Sequence, residues 1–177
     1  MTKLFFCFLL SSPILAFSQF NDSTFEYNQI DSVPGSKTEV YIKARTFIAS
    51  YFTSAKNVIQ MDDKEAGTII AKGFFEIEGA KGGFGNHLGF DKIWVTITIN
   101  AKDNKYRCKI TDFTHEGGNY KGAENGGPLS NDKPLCGSFW MPKARWKKFK
   151  ERAKESAEKL LKDMDIAMKK TSANTDF

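Results

Sequence analysis

Strict alternation of apolar and polar residues at positions 93–100 constrains the fold more than any other feature of this sequence. Ile93, Val95, Ile97 and Ile99 are separated by Trp94, Thr96, Thr98 and Asn100. Successive side chains of a β-strand point to opposite faces of its sheet, so this segment predicts a strand with one face in the core and one in solvent. A polar turn at residues 101–105 leads into a second strand at 106–113, which completes an antiparallel hairpin.

An earlier hairpin is predicted by the same kind of pattern. Residues 57–62 are a short strand candidate, residues 63–67 have turn chemistry, and residues 68–78 alternate again. The residues that share the apolar face of the longer strand are Ile69, Ala71, Gly73, Phe75 and Ile77. The sequence therefore predicts four antiparallel strands in two hairpins.

One helix is predicted before these strands in the chain and another after them. Ser36 followed by Glu39 fits a capping box, in which each side chain satisfies a free backbone N–H at the helix start. The apolar residues after it recur at helical spacing, at Val40, Ala44, Phe47, Ile48 and Tyr51. Pro142 suits the first turn of a longer helix, whose apolar stripe consists of Trp146, Phe149, Ala153, Ala157, Leu160, Leu161, Met164 and Met168.

These elements predict an α+β fold in the order helix, four-stranded antiparallel sheet, helix. Each helix has one apolar stripe and the sheet has one apolar face, so packing both helices on that face buries all three surfaces together. We expect a single domain at residues 36–170, preceded by an extended segment at 19–35 and followed by a polar tail at 171–177. The residues at 115–137, rich in glycine and asparagine, are predicted to form a long surface loop.

The first 18 residues have the layout of a cleavable signal peptide. Lys3 precedes an apolar run at residues 4–10, and Ala16 and Ser18 supply the small side chains that signal peptidase requires. We therefore expect export to the periplasm or the outside of the cell, with a mature chain that begins at Gln19. The mean hydropathy of −0.42 and a charged fraction of 27% argue against a membrane-embedded body, and no transmembrane segment is predicted in the mature chain.

Several stretches of the chain resemble one family. They are the run Ala44-Arg45-Thr46-Phe47-Ile48-Ala49, residues 54–60, residues 63–73, Tyr106-Arg107 and Ile110-Thr111-Asp112-Phe113. Together they resemble the exported bacterial family called domain of unknown function 4468. That resemblance implies a TBP-like fold, a curved antiparallel sheet backed by helices, which agrees with the element order above. It implies no activity, because a fold does not by itself define a function.

The candidate binding surface is the face of the sheet turned away from the helices. The alternation places Trp94 and Phe74 on that face with three cations, Lys72, Arg107 and Lys109. Aromatic rings supply contact area and stacking, and cations attract acidic groups. The competing interpretation is the solvated face of a one-sided antiparallel sheet, or a face over which the long loop folds.

Other candidate sites have weaker patterns. The loop at residues 79–89 departs from G-x-G-x-x-G at Leu88 and joins two strands, so a phosphate site is disfavoured. His87, His115, Cys108 and Cys136 lack the spacing of a metal site, and we predict no metal or cofactor. In an oxidising compartment Cys108 and Cys136 could form one disulfide, or they could remain reduced thiols.

A basic run at residues 143–154 could contact anionic lipid headgroups or acidic glycans. It could equally be the solvated face of the second helix. The formal net charge of +5, which becomes +4 when Lys3 is removed with the leader, is too small to indicate nucleic-acid binding.

The function that these observations favour is a non-catalytic binding module with a protein, peptide, glycan or small-molecule partner. The outer sheet face and the glycine-rich loops would form its site, and no catalytic residue is assigned. The alternative is a hydrolase or metal-dependent enzyme that uses His87 or His115 with the nearby acids Asp112 and Glu116.

Overall fold

A computed structural model describes residues 17–52, 58–79 and 89–170. The described residues form seven strands and two helices. The strands are β1 (Phe17–Asn21), β2 (Glu26–Ser32), β3 (Ile59–Asp63), β4 (Thr68–Glu78), β5 (Phe90–Lys102), β6 (Lys105–Glu116) and β7 (Gly127–Pro128). The helices are α1 (Lys37–Tyr51) and α2 (Lys143–Lys169).

All seven strands belong to one antiparallel sheet. Its order is β1-β2-β6-β5-β4-β3, and the short β7 pairs with β6. Both helices pack on the same face of this sheet, with α1 over β5 and α2 across β2, β4 and β6. The predicted α+β fold is confirmed, and the sheet has more strands than the four that the sequence indicated.

The hairpin of β1 and β2 was not predicted. Residues 17–32 lack an apolar alternation, because the core-facing positions of β2 are occupied by Tyr27, Gln29 and Asp31. The strand nevertheless pairs with β6 over six residues, with Tyr27 opposite Ile110. Residues 17 and 18, which belong to the predicted signal peptide, are the first residues of β1. Residues 1–16 lie outside the described residues, and so does the tail at 171–177.

The inner face of the sheet forms the core with the two helical stripes. The predicted apolar positions of β4, β5 and β6 are buried, among them Ile69, Ile97 and Ile110. Both arms of the capping box are present at the start of α1, where the backbone N–H of Ser36 donates to Glu39 Oε2 at 2.7 Å. The eight predicted apolar positions of α2 are all buried. Local periodicity therefore identified the residues that hold the layers together, each worth about 1.5–3 kcal/mol when fully buried.

The segment at 115–137 is more ordered than the predicted surface loop. Leu129 is fully buried, and its backbone N–H donates to Phe113 O at 2.8 Å. The indole N–H of Trp146 in α2 donates to Asn131 O at 3.0 Å. The segment therefore packs against the end of β6 and the start of α2.

Cys108 and Cys136 are both free thiols in the structure. Cys108 is fully buried on the inner face of β6, where burial raises the pKa of its thiol to about 12. Cys136 is half-buried and lies in the segment after β7. Neither helix of the described ranges is long and apolar enough to cross a membrane.

A pair of carboxyl groups joins β2 to the end of α2. Asp31 is 3% exposed and lies 3.2 Å from Lys169 Nζ, which also contacts Asp165 at 2.7 Å. Burial alone would raise the pKa of Asp31, but hydrogen bonds from Asp165, Lys169 and Ser32 lower it. Burial and the neighbouring Asp31 raise the pKa of Asp165. The two carboxyl groups are linked by a hydrogen bond, so their titrations are linked, and Asp31 ionises more readily than Asp165.

Neutral variants of this pair are expected to have opposite effects at pH 7. Asp31→Asn should cost about 1–3 kcal/mol, because it removes the buried partner of Lys169. Asp165→Asn should be neutral or stabilising by less than about 1 kcal/mol, because it removes a charge that the folded state disfavours. Urea unfolding at pH 7 and at a series of lower pH values, from about 4 down to about 2, would measure both effects.

The pH dependence distinguishes the two variants further. The lowered pKa of Asp31 contributes stability that is present above the ordinary pKa of 3.8 and is lost as the pH falls through the folded-state value, so the cost of Asp31→Asn should shrink below pH 4. A raised pKa penalises the folded state above that pKa, so any gain from Asp165→Asn should also disappear on acidification. Equal destabilisation by both variants at pH 7 would contradict the opposite pKa directions of Asp31 and Asp165.

Candidate functional site

An open concavity lies on the outer face of the sheet, across β3 to β6. Its volume is about 650 Å³. We call it the outer groove, and it is lined by Gln60, Lys72, Trp94, Thr96, Asp112, Thr114 and Glu116. The groove contains side chains of both charges, two hydroxyl groups, an amide and an indole ring.

The register between β4 and β5 builds an aromatic pair at this groove. Phe74 lies opposite Trp94, and their ring centroids are 5.0 Å apart in an edge-on arrangement. Lys92 Nζ lies 4.7 Å from the Phe74 centroid, and Lys72 Nζ lies 5.8 Å from the Trp94 centroid. The indole N–H of Trp94 donates to Glu116 Oε2 at 2.7 Å. Trp94 is therefore held in place by neighbours on three strands, which reduces the entropy lost on binding a ligand.

A β-bulge directs Asp112 into the groove. Trp94 pairs with Thr114, and Thr96 pairs with Thr111. Between these two pairs β5 moves by two residues and β6 moves by three, so β6 has one extra residue at this point. Asp112 has φ of 58°, a left-handed conformation that non-glycine residues adopt at a cost of about 1–2 kcal/mol. The bulge shifts the alternation, so that Phe113 becomes buried and the Asp112 carboxylate remains on the outer face.

Threonine hydroxyl groups on both sides of Asp112 bond its side chain and its backbone. Thr111 Oγ1 donates to Asp112 Oδ2 at 3.2 Å, and Thr114 Oγ1 donates to the backbone oxygen of Asp112 at 3.1 Å. The strained residue is thus stabilised by its immediate neighbours.

Three of the five predicted binding residues come together at the groove. Lys72 and Trp94 line it, and Phe74 packs against Trp94. Lys109 and Arg107 pair with Thr98 and Asn100 instead, roughly 14 and 20 Å along the sheet from Trp94.

The two remaining predicted cations already have partners on β2. Lys109 Nζ lies 3.1 Å from Glu26 Oε2, and Arg107 Nε donates to Asn28 Oδ1 at 2.9 Å. These contacts depend on a strand that the sequence analysis did not predict. Conversely, the groove includes Gln60 and Thr114, which were not predicted, and Asp112 and Glu116, which were considered only as partners of a histidine. The out-of-phase apolar residue Phe113 is the signal that could have indicated the bulge.

His115 does not join these acids, because it occupies the opposite face of β6. It is 1% exposed, and its Nε2 lies 3.2 Å from Asp91 Oδ2. The backbone N–H of Gly126 donates to His115 Nδ1 at 3.0 Å, so the ring proton resides on Nε2 and is donated to Asp91. His87 and most of the glycine-rich loop, residues 80–88, lie outside the described residues.

Asp91 is the centre of a buried polar cluster. Its Oδ1 accepts from the Gly118 N–H at 2.9 Å and from the Tyr120 hydroxyl at 2.5 Å, and Arg145 lies 3.4 Å from Oδ2. Burial alone would raise the pKa of Asp91, but the hydrogen bonds from His115, Tyr120 and Gly118 lower it. Through these contacts the cluster links β5 to the segment after β6 and to the start of α2. In the ranges that the structure describes, no group of three or more His, Cys, Asp or Glu side chains is arranged to hold a metal ion.

The family model described as "Domain of unknown function (DUF4468) with TBP-like fold" matches residues 27–116. This chain belongs to the DUF4468 family. The matched region runs from β2 to the end of β6 and contains every residue that lines the outer groove. The resemblance found in the sequence is therefore confirmed. No curated protein matches the chain.

Two solved structures are similar to most of this DUF4468 protein. A TBP-like protein from Parabacteroides distasonis has a TM-score of 0.63 and 15% sequence identity, over 85% of this chain and 96% of that one. A DUF4468 family protein from Bacteroides ovatus has a TM-score of 0.62 and 16% identity, over 89% of this chain and 93% of that one. At these identities the similarity establishes the TBP-like fold.

Proposed function

We propose that this DUF4468 protein is a non-catalytic binding module whose outer groove takes a neutral polyhydroxylated ligand, of which glycans are the main class. The observation that carries the proposal is the immobilised Trp94 ring next to the carboxylate of Asp112 at a strained bulge. Backbone strain of this kind is concentrated at functional sites, where the surrounding structure maintains it.

The groove chemistry matches the hydrogen-bonding needs of a sugar. Each sugar hydroxyl both donates and accepts, so it needs acceptors such as Asp112 and Glu116 and donors such as Lys72. Thr96 and Thr114 can act in either sense, and the indole ring offers an apolar surface for the C–H face of a pyranose. A volume of about 650 Å³ lies within the range typical of small-molecule sites.

The charges of the groove disfavour an anionic ligand. Of the described residues, two carboxylates and one lysine line it, with Lys92 beside it over the Phe74 ring, so the carboxylates oppose a phosphate. The cations that could have attracted one, Arg107 and Lys109, lie farther along the sheet and contact Asn28 and Glu26. Nucleic acid is therefore a poorer partner for this face than a neutral glycan.

Export supports the same proposal. Lys3, the apolar run at 4–10 and the small residues Ala16 and Ser18 indicate a signal peptide. We infer that the mature protein meets its ligand in the periplasm or outside the cell, where glycans are abundant.

Trp94→Ala is expected to abolish ligand-dependent stabilisation. Thermal unfolding should be followed with a panel of neutral oligosaccharides, with acidic oligosaccharides, peptides and oligonucleotides for comparison. A ligand at one hundred times its Kd stabilises a protein by about 2.7 kcal/mol, so a neutral oligosaccharide that binds should raise the Tm by several degrees. Arg107→Ala, on the same face but outside the groove, is the matched control and should keep the full shift.

Asp112→Gly separates binding from folding. Glycine relieves the left-handed strain at this position, so the unliganded variant should be at least as stable as the parent while the oligosaccharide shift is lost. Shifts that survive Trp94→Ala, or that only oligonucleotides or acidic oligosaccharides produce, would refute the proposal.

A further inference from the structure

Three exposed apolar side chains lie in the segment that connects β7 to α2. Leu135, Phe139 and Trp140 are 70%, 87% and 56% exposed. We call these three residues the aromatic knuckle. Exposed apolar side chains this close together on a water-soluble surface indicate an interaction site.

Hydrogen bonds and a buried neighbour fix the backbone of the knuckle. The backbone N–H of Leu135 donates to Gly126 O at 2.9 Å, and that of Met141 donates to Gly137 O at 3.1 Å. Met141, the residue after Trp140, is 1% exposed and anchors the turn in the core. The rings of Phe139 and Trp140 meet edge-on with centroids 5.2 Å apart. The core therefore holds the backbone while the two rings project into solvent.

Positively charged residues are concentrated in the chain on both sides of the knuckle. Residues 133–150 contain six lysine or arginine residues and no aspartate or glutamate, between Asp132 and Glu151. Arg145 turns inward to Asp91, whereas the exposed lysines of this stretch are Lys133, Lys143, Lys147 and Lys148. Lys143 lies in the first turn of α2, three residues after Trp140, and Lys147 is one turn farther along, where its Nζ lies 3.7 Å from Glu151 Oε1 in an exposed ion pair.

We propose that the aromatic knuckle and its flanking lysines dock the protein on an anionic lipid surface. Tryptophan and phenylalanine partition into the boundary between headgroups and acyl chains, and lysines beside them attract lipid phosphates. Because both rings are exposed and the backbone beside them is hydrogen-bonded, they can enter the lipid without unfolding any strand or helix. This site is distinct from the outer groove, and the inference does not depend on the proposed ligand.

Vesicle cosedimentation tests the proposal with residues 17–177, which contain every described element but lack the apolar leader that would itself enter lipid. We expect binding to phosphatidylcholine vesicles with about a third phosphatidylglycerol, and little binding to phosphatidylcholine alone. F139S/W140S should weaken binding at least about tenfold. K143E/K147E should weaken binding and reduce its dependence on salt.

Two matched variants control for the loss of an apolar or aromatic side chain outside the knuckle. Ile30→Ser removes an apolar side chain of 54% exposure from the outer face, and Trp94→Ala removes a groove tryptophan. Both should bind vesicles as the parent does. Binding that survives F139S/W140S, or equal binding to neutral and anionic vesicles, would overturn the proposal. Self-association that is lost in F139S/W140S, with no vesicle binding, would assign the knuckle to a second copy of the chain and overturn it as well.

Discussion

Asp91→Ala is expected to lower the free energy of unfolding by about 3–5 kcal/mol, since it leaves several buried hydrogen-bond donors unpaired at about 1–3 kcal/mol each and removes the partner of Arg145. Asp91 is fully buried and accepts hydrogen bonds from His115, Tyr120 and Gly118. Alanine would leave all three donors without their acceptor. Urea unfolding at pH 7, monitored by circular dichroism, measures the loss.

Two further variants test the origin of this effect. Asp91→Asn keeps one carbonyl oxygen for Tyr120 and Gly118, but its amide group opposes the N–H of His115, so an intermediate loss is expected. Asp132→Ala, at an exposed position of the following segment, should change stability by no more than about 0.5 kcal/mol.

The effect of Asp91→Ala should also depend on pH. Because the folded-state pKa of Asp91 is lowered, its contribution is present above the pKa of the unfolded chain and is lost as the pH falls toward the folded value. The difference in the free energy of unfolding between parent and variant should therefore become smaller at acidic pH. A loss below about 1 kcal/mol at pH 7 would show that water replaces the cluster without penalty.

Trp146→Ala is expected to cost about 3–5 kcal/mol, as is typical when a large buried aromatic residue is truncated. Trp146 is 2% exposed and its ring lies directly over Gly126, where a side chain would approach it to 2.5 Å. Its indole N–H holds the segment after β7 through Asn131. The variant should therefore unfold at lower urea and lose hydrogen-exchange protection at the Leu129 amide, which bonds Phe113 O.

Trp146→Phe and Trp140→Ala are the matched controls. Phenylalanine keeps much of the ring but loses the hydrogen bond to Asn131, so about 1–2 kcal/mol should be lost. Trp140 is exposed and should be replaceable at little cost to stability. Similar losses for Trp146→Ala and Trp140→Ala would contradict the anchoring role. Because Trp146 and Asp91 both contact His115, their combined variant should deviate from additivity.

Local patterns sufficed to predict the elements that form the core. The alternation at 93–100, the capping box at Ser36 and Glu39, and the apolar stripe of α2 each repeat with the period of one kind of structure. Such periods depend only on neighbours along the chain, so the sequence alone revealed the α+β order and the side of the sheet that the helices cover. The same alternation correctly placed Trp94, Phe74 and Lys72 on the outer face.

Contacts between residues distant in the chain determined the features that local patterns did not predict. β2 has polar residues facing the core, and Asp31 is tolerated there because Lys169, at the end of α2, supplies its counter-charge. The bulge at Asp112 changes which residues of β6 share a face, and the pairing of β2 with β6 gives Arg107 and Lys109 contacts away from Trp94. Strand register, bulges and buried charge pairs depend on which segments meet in three dimensions, and no periodicity within a single segment encodes that choice. The outer groove is therefore a product of tertiary structure, built on a face that the sequence had already identified.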